Sequence, residues 1–158
     1  MNKVLEFYPQ LAVVLPETYV LLRSANLTVH PRVRSIVLHG SRGLVNQYRA
    51  DSDIDLSLVV DVPGDADSEK LELLKTIYET TLSHWSSNIE LDLAVVFDIH
   101  QCQLRCFDQN MWEPEVCGIG GLDCFGLYKI GKGFHGLVTH AGVQVQKMYP
   151  CLTIWERR

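Results

Sequence analysis

The sequence predicts an α/β (α+β) fold, with a mixed β-sheet flanked by helices, in a single domain over residues 1–158. Three observations predict it. The length of 158 residues suits about one domain. The composition, 47% hydrophobic and 21% charged, is that of a globular chain and argues against disorder and collagen-like repeats. Apolar segments alternate between helical and strand-like spacing, so helices and strands are expected to share one core.

The predicted elements begin with two short helices. Val4–Val13 and Glu17–Leu27 each have apolar residues near helical spacing, and Pro16 separates them. A buried strand is expected over Ser35–Leu38, because this β-rich apolar run stops at Gly40 as a strand entering a turn would.

Two more strands and a helix follow. Asp53–Val60 alternates polar and apolar residues before it becomes wholly apolar, which is typical of a strand with one solvated or functional face. A helix is expected from Asp67, where acidic residues precede apolar residues at helical spacing. Ile89–Phe97 again alternates, so three strands can form one mixed sheet. Beyond Asp98 the pattern weakens, and the glycines of Gly118–Gly136 suit tight turns between short strands.

The charge distribution narrows the choice of partners. A net charge of −5 argues against a nucleic-acid partner, because binding a phosphate backbone needs a basic face. From Gly126 onward, however, five basic residues outnumber one acidic residue. Lys129, Lys132 and Lys147 are therefore candidates for contacting an anionic acceptor or a triphosphate.

The sequence also predicts a compartment. No apolar run approaches the roughly 18–20 residues that a membrane span needs, and Met1–Glu6 lacks the basic-then-apolar pattern of a signal peptide. The five cysteines are an odd number without disulfide-framework spacing, which favours reduced thiols. We therefore expect a cytoplasmic protein with no membrane partner.

The first candidate site feature is the run Gly40, Ser41, Arg42 and Gly43, directly after the predicted strand. A glycine there lets the backbone approach a ligand closely, and Ser41 is suited to begin a helix whose free N–H groups would face an anion. Such a pair is by itself a weak signal, since most Gly-Ser pairs are plain turns. His39, just before it, is expected to fill the core at the strand end, with contact to a nucleotide as the alternative.

The second feature is the pair Asp53 and Asp55. Residues two apart in a strand point to the same side, with their Cα atoms about 6–7 Å apart. Like charges at that distance repel, and a hard divalent cation bound through carboxylate oxygens compensates them. The alternative is an exposed acidic strand edge or a helix cap.

The third feature is Asp92, with Glu90 two residues before it, on the later strand. If the two strands are neighbours, one or both acids join Asp53 and Asp55 on one face of the sheet. The alternative is that Glu90 and Asp92 form the polar half of a strand with one wet face. Both acidic segments lead into apolar runs, which makes that alternative less favourable.

Taken in order, these features resemble the DNA polymerase β-like nucleotidyltransferase superfamily. Its pattern is an apolar strand, Gly-Ser, then Asp-x-Asp, then a third carboxylate on a following strand. This chain has the pattern at Leu38–Gly43, Ser52–Leu56 and Leu91–Leu93, within residues 35–97. It is most similar to the small stand-alone members, the minimal nucleotidyltransferases, and residues 98–158 form a glycine-rich C-terminal extension to this core.

The resemblance implies roles for the acids and the turn. Asp53 and Asp55 would hold two Mg²⁺ ions, while Asp92 would complete the metal site and help to activate an acceptor hydroxyl. Two metal ions about 3.5–4 Å apart stabilise the attacking and leaving oxygens of an in-line displacement. Glu90 competes with Asp92 for the third position, and Asp92 is preferred because an apolar strand follows it.

The resemblance also assigns the phosphate contacts. Gly40, Ser41 and the neighbouring backbone would grip the β- and γ-phosphates of a nucleoside triphosphate, and Arg42 is a candidate phosphate partner or else a solvated side chain. After Gly43 the chain departs from the pattern of small family members, which often have a second Arg and Gly there.

The implied function is a metal-dependent enzyme that moves a nucleoside monophosphate from a nucleoside triphosphate, with ATP the expected one, to a hydroxyl acceptor and releases pyrophosphate. The acceptor would be a small molecule or a protein side chain. One alternative is a non-catalytic nucleotide-binding module or an antitoxin-type module that binds a protein partner on the same fold. Another is a structural α/β domain whose acids are merely solvated.

Overall fold

The computed structural model describes residues 5–61, 67–97, 126–130, 136–138 and 150–157. In this part of the chain two helices precede the first strand, and a third helix lies between the second and third strands. The elements in chain order are α1 (Pro9–Val14), α2 (Pro16–Ser24), β1 (Val33–His39), β2 (Ile54–Val60), α3 (Asp67–Leu82), β3 (Leu91–Phe97), β4 (Gly126–Ile130), β5 (Gly136–Val138) and β6 (Leu152–Glu156).

The strands form one mixed sheet in the order β5-β4-β3-β2-β1-β6. β2 and β3 are parallel, and the four other neighbouring pairs are antiparallel. The predicted α+β class is confirmed, as is the expectation that the first three strands share one mixed sheet. Because β1 runs against β2 and β3, its last residues lie at the edge where those two strands begin.

One face of the sheet packs into the main apolar core together with helical residues. Leu11, Leu22, Leu74 and Ile77 come from the three helices. The buried sheet residues of this cluster are Val33, Ile36, Leu38, Ile54, Leu56, Leu58, Val60, Leu91, Leu93, Val95, Phe97 and Ile154. Burial of this apolar surface, at roughly 25 cal/mol per Å² removed from water, is the main stabilising contribution to the fold.

The opposite face of the sheet is buried in its central part as well. Its buried residues are Val37, His39, Ser57, Val59, Ala94 and Val96. Side chains two positions apart on a strand share a face, so Asp55 lies on the same face as Ser57, and Asp92 on that of Ala94. The predicted site residues of β2 and β3 therefore lie on the face opposite the helix-packed core.

The two N-terminal helices exist but are shorter than predicted. The helix expected from Val4 starts only at Pro9, because the chain before it bonds to β6 through Tyr8 N–H and the Ile154 carbonyl oxygen at 2.9 Å. α2 ends at Ser24 rather than Leu27, since Asn26 adopts a left-handed φ of 58° that cannot continue an α-helix.

β6 was not predicted, although it covers the outer edge of β1. The residue after it, Arg157, fastens this edge. Its main-chain N–H donates to the Arg34 carbonyl oxygen at 2.8 Å, and its side chain donates to the carbonyl oxygens of Val33 and His30 at 3.0 Å each.

Short strands were expected around Gly118–Gly136, and β4 and the first residue of β5 fall within that range. Its other residues lie outside the described part of the chain. In the described ranges, no helix combines the length and the apolar character needed to cross a bilayer.

Candidate functional site

His39, Asp55 and Asp92 form a row across the strands β1, β2 and β3. Asp55 of β2 lies opposite His39 of β1 and, on its other side, opposite Asp92 of β3. Residues opposite one another on neighbouring strands project from the same face. With neighbouring strands about 4.8 Å apart, this register places the two carboxylates side by side. The predicted meeting of acids from separate strands is therefore present for Asp55 and Asp92, and both are half-buried.

Gly40, at the end of β1, is in direct contact with this row. Its φ is +74°, a left-handed conformation that side chains rarely adopt. A Cβ atom at position 40 would overlap Oδ2 of Asp55 and would lie 3.0 Å from its Cγ. The carboxylate of Asp55 thus occupies the space that the missing side chain leaves, which links the glycine turn to the acids.

The segment after Gly40 does not form the helix that we expected to begin at Ser41. It is a series of turns, in which Gly43 N–H donates to the Gly40 carbonyl oxygen at 3.0 Å and Asn46 N–H donates to that of Gly43 at 2.9 Å. These bonds span three residues instead of the four of an α-helix, and the left-handed φ of 52° at Asn46 ends the series. Ser41 therefore lies in a turn, half-buried, directly after Gly40.

Arg42, a predicted phosphate partner, is buried with only 6% of its surface exposed, so the alternative of a solvated side chain is wrong. Its Nε donates to the Ser52 carbonyl oxygen at 2.8 Å, and its Nη2 donates to those of Arg49 and Ala50 at 3.2 Å each. These acceptors lie in the loop that leads directly to Asp53. No sequence signal identified them, because every residue type offers a carbonyl oxygen.

Asp53 is the last residue before β2 and is half-buried. It stands two positions before Asp55, and Ile54 between them donates its N–H to the Glu90 carbonyl oxygen at 3.0 Å. This bond extends the pairing of β2 and β3 by one step beyond Leu91. It holds the first residues of the two strands together at the edge where the acids lie.

The structure separates the two candidates for the third carboxylate. Asp92 is in register with Asp55, whereas Glu90 precedes β3 and is exposed. Both carboxylates are near the same sheet edge, but only Asp92 lies directly beside a predicted metal ligand. The sequence preference for Asp92 agrees with this placement.

His39 is buried, as expected from the sequence, with 6% of its surface exposed. Its Nε2 lies 2.7 Å from Ser57 Oγ, so a hydrogen bond joins β1 and β2 next to Asp55. The sequence interpretation placed His39 in the core but missed its position in the row with the acids. The position of His39 opposite Asp55 follows from the register of β1 and β2, and a local stretch of sequence does not show that register.

The side chains at this edge have the chemistry of a hard-cation site. Carboxylate oxygens are the ligands that Mg²⁺ prefers in proteins. Within the described ranges, however, no three or more His, Cys, Asp or Glu side chains are grouped closely enough to hold a metal ion. The side-by-side pair of Asp55 and Asp92, with Asp53 adjoining it in the chain, is thus a partial ligand set of the right chemical type.

A cleft of about 310 Å³ lies between the α1–α2 junction and the loop that follows the glycine turn. Glu17, Thr18, Asn46 and Tyr48 supply its polar lining. Thr18 connects it to the turn, because Thr18 Oγ1 donates to the Arg42 carbonyl oxygen at 2.7 Å.

Of the basic residues proposed to contact an anion, Lys129 lies in β4, next to β3 in the sheet, and it pairs with Ala94. Lys132 and Lys147 lie outside the described part of the chain.

No protein-family model, curated protein or solved structure matches this chain. The geometry of the acids and the turn therefore carries the functional argument.

Proposed function

We propose that this chain is a metal-dependent nucleotidyltransferase, which transfers a nucleoside monophosphate from a nucleoside triphosphate to a hydroxyl acceptor. The observation that carries the proposal is the meeting of Gly40, Asp55 and Asp92 at one edge of the sheet. Carboxylates that converge beside a glycine turn can serve a divalent cation and a phosphate chain at the same time. The ordered motif in residues 35–97, which resembles the nucleotidyltransferase superfamily, supports the same assignment.

In this proposal Asp53, Asp55 and Asp92 hold Mg²⁺ through their carboxylate oxygens. When bound, the metal supplies positive charge where negative charge develops on the attacking and leaving oxygens. Carboxylates on neighbouring strands repel each other, so a shared cation also removes a cost to the fold. The backbone of Gly40 and Ser41 would bind the β- and γ-phosphates, as the resemblance of the motif to the superfamily implies.

The chemical step is an in-line displacement at the α-phosphorus. The acceptor oxygen forms a bond to phosphorus while the bond from phosphorus to the bridging oxygen of the β-phosphate breaks, and pyrophosphate leaves. In this proposal Asp92 accepts the proton of the acceptor hydroxyl, which is general-base catalysis worth about 10²–10⁴-fold in rate. The acceptor is a small molecule or a protein side chain, and ATP is the proposed nucleotide.

The test is turnover with mixed nucleoside triphosphates and Mg²⁺. We expect pyrophosphate release, and mass spectrometry of candidate acceptors should show an added nucleoside monophosphate whose mass identifies the base. Asp53→Asn should abolish release. Asp51→Asn is the matched control, because Asp51 is 81% exposed and, within the described ranges, forms only a surface ion pair with Arg49 at 3.6 Å. Equal turnover by the two variants would exclude the proposed metal site.

A second candidate is a module on the same fold that binds a nucleotide or a protein partner without catalysis. The observation in its favour is exposed apolar surface on α1 and α2, where Val13 is 80% and Val20 63% exposed. Exposed apolar side chains mark a protein-binding surface where they form a contiguous patch. Calorimetric titration with ATP and Mg²⁺ separates the two candidates, since binding without pyrophosphate release would favour the non-catalytic module.

A further inference from the structure

Arg42 follows the glycine turn in sequence, but its guanidinium contacts the main chain further along. Its donors reach the carbonyl oxygens of Arg49, Ala50 and Ser52 at 2.8–3.2 Å. The loop closes on itself as well, because Ser52 N–H donates to the Arg49 carbonyl oxygen at 3.0 Å and Arg49 N–H donates to Ser52 Oγ at 2.8 Å. The planar fork of the guanidinium thus fastens the loop that ends at Asp53.

Two further contacts hold Arg42 itself. Its Cζ lies 4.5 Å from the centroid of the Tyr48 ring, which is a cation–π contact with the start of the same loop. Its carbonyl oxygen accepts the buried hydrogen bond from Thr18 Oγ1 of α2. Both ends of Arg42 are therefore fixed, one to a helix of the core and the other to the loop before β2.

We propose that Arg42 is a positioning residue, which holds the 49–52 loop so that Asp53 enters the site in a fixed place beside Asp55, and that it does not bind phosphate. The inference rests on the proposed function, since it concerns the geometry of the proposed metal ligands. A guanidinium that turned to a phosphate would leave the carbonyl oxygens of residues 49, 50 and 52 without its hydrogen bonds. Such a rearrangement would also remove the guanidinium from the buried position in which these bonds satisfy it, since Arg42 is only 6% exposed.

The chain offers a matched pair of variants, Arg42→Gln and Arg49→Gln. Both remove one positive charge near the same loop, but the Arg49 side chain is 87% exposed and, among the described residues, its one ion pair is with Asp51. Mn²⁺ is the metal probe, and its binding is measured by calorimetry and by electron paramagnetic resonance without nucleotide. Turnover is measured at saturating Mg²⁺, and amide hydrogen exchange reports on residues 49–55.

For Arg42→Gln we expect Mn²⁺ affinity to fall roughly 10–100-fold, as is typical when support for metal ligands is lost. We expect kcat to fall as well, while KM for ATP at saturating metal stays within about twofold of the wild-type value. Exchange of the 49–55 amides should become faster. Arg49→Gln should match the wild type in all three measurements, and Arg42→Lys should recover part of the Mn²⁺ affinity because an ammonium retains some of the donors.

A rise of about tenfold or more in KM for ATP with unchanged Mn²⁺ affinity would identify Arg42 as a phosphate ligand and overturn the inference. Equal behaviour of Arg42→Gln and Arg49→Gln would overturn it too. If Arg42→Gln does not fold, the same measurements on Arg42→Lys and Tyr48→Leu decide, since each weakens only part of the anchor. Wild-type chain that binds Mn²⁺ without turnover contradicts the proposed function alone, because Mn²⁺ affinity and exchange still test the positioning.

Discussion

The carboxylate of Asp55 lies directly against the α-carbon of Gly40, in space that any side chain at position 40 would fill. Gly40→Ala should therefore lower both the free energy of unfolding and the affinity for metal. A left-handed φ costs a non-glycine residue about 1–2 kcal/mol in the free energy of unfolding. The new methyl group should also displace the Asp55 carboxylate and lower Mn²⁺ affinity by about tenfold. Urea unfolding and metal titration measure the two effects separately.

Gly43→Ala is the control for this prediction. A Cβ atom at Gly43 would lie 2.9 Å from the His39 carbonyl oxygen and 3.3 Å from that of Gly40, so it crowds the backbone of the turn rather than the acid. The free energy of unfolding should fall in this variant, but the change in Mn²⁺ affinity should be smaller than in Gly40→Ala. A Gly40→Ala protein with wild-type stability and metal affinity would contradict the contact between Gly40 and Asp55.

The register of β2 and β3 predicts which acid on β3 is required. Asp92→Asn should lower kcat for pyrophosphate release by about 10²-fold or more, because an amide neither accepts the acceptor proton nor carries the charge that the metal needs. Glu90→Gln removes an exposed carboxylate before the strand and should leave kcat within about twofold of the wild type. A larger loss in Glu90→Gln than in Asp92→Asn would assign the third carboxylate to Glu90.

The parts of the fold that the sequence predicted are those with a local pattern. The alternation from Asp53 and from Ile89 predicted β2 and β3, and their apolar halves placed them inside a sheet. β6 escaped prediction because a short run such as Leu152–Glu156 becomes a strand through its pairing with β1, which is distant in sequence. Tertiary pairing of this kind leaves no signal within a local window.

The candidate site shows the same division. Motif spacing predicted that Asp55 and Asp92 would meet, and strand register brings them together. The charge and fork geometry of Arg42 made it a candidate phosphate partner or else a solvated side chain, yet its guanidinium binds main-chain carbonyl oxygens. The type of a side chain predicts which groups it can bind. Which acceptor the Arg42 guanidinium binds depends on the path of the 49–52 loop, and the sequence does not show that path.

His30 should make the fold less stable in mild acid. Burial lowers the pKa of His30 below its ordinary value of 6.5, and the positive charges of Arg32 and Arg157 lower it further. The unfolded chain therefore binds the proton more readily, so the free energy of unfolding should fall as the pH drops below about 6.5, with the full loss below the folded-state pKa. Protonation would also break the hydrogen bond from Arg32 N–H to His30 Nδ1, which is 3.0 Å long.

Arg157→Gln tests the smallest of the three causes of that shift. Removing the charge should raise the pKa of His30 toward its ordinary value, as followed by NMR titration of the ring protons. Arg23→Gln, in the last turn of α2, is the control and should leave the titration unchanged. A His30 that titrates at or above its ordinary pKa in the wild type would refute the prediction. A free energy of unfolding of the wild type that does not change between pH 8 and pH 5 would refute it too.

Thr81 of α3 should be a site where a substitution stabilises the protein. Its side chain is fully buried, and among the described residues its Oγ1 has no hydrogen-bond partner. Thr81→Val keeps the branched shape and removes the unpaired hydroxyl, so the free energy of unfolding should rise by about 1 kcal/mol. Thr80→Val is the matched control, because Thr80 Oγ1 donates to the Thr76 carbonyl oxygen at 2.8 Å and its loss should give no gain. Urea unfolding of the three proteins measures the difference, and a Thr81→Val protein less stable than the wild type would show that the hydroxyl has a partner in solution.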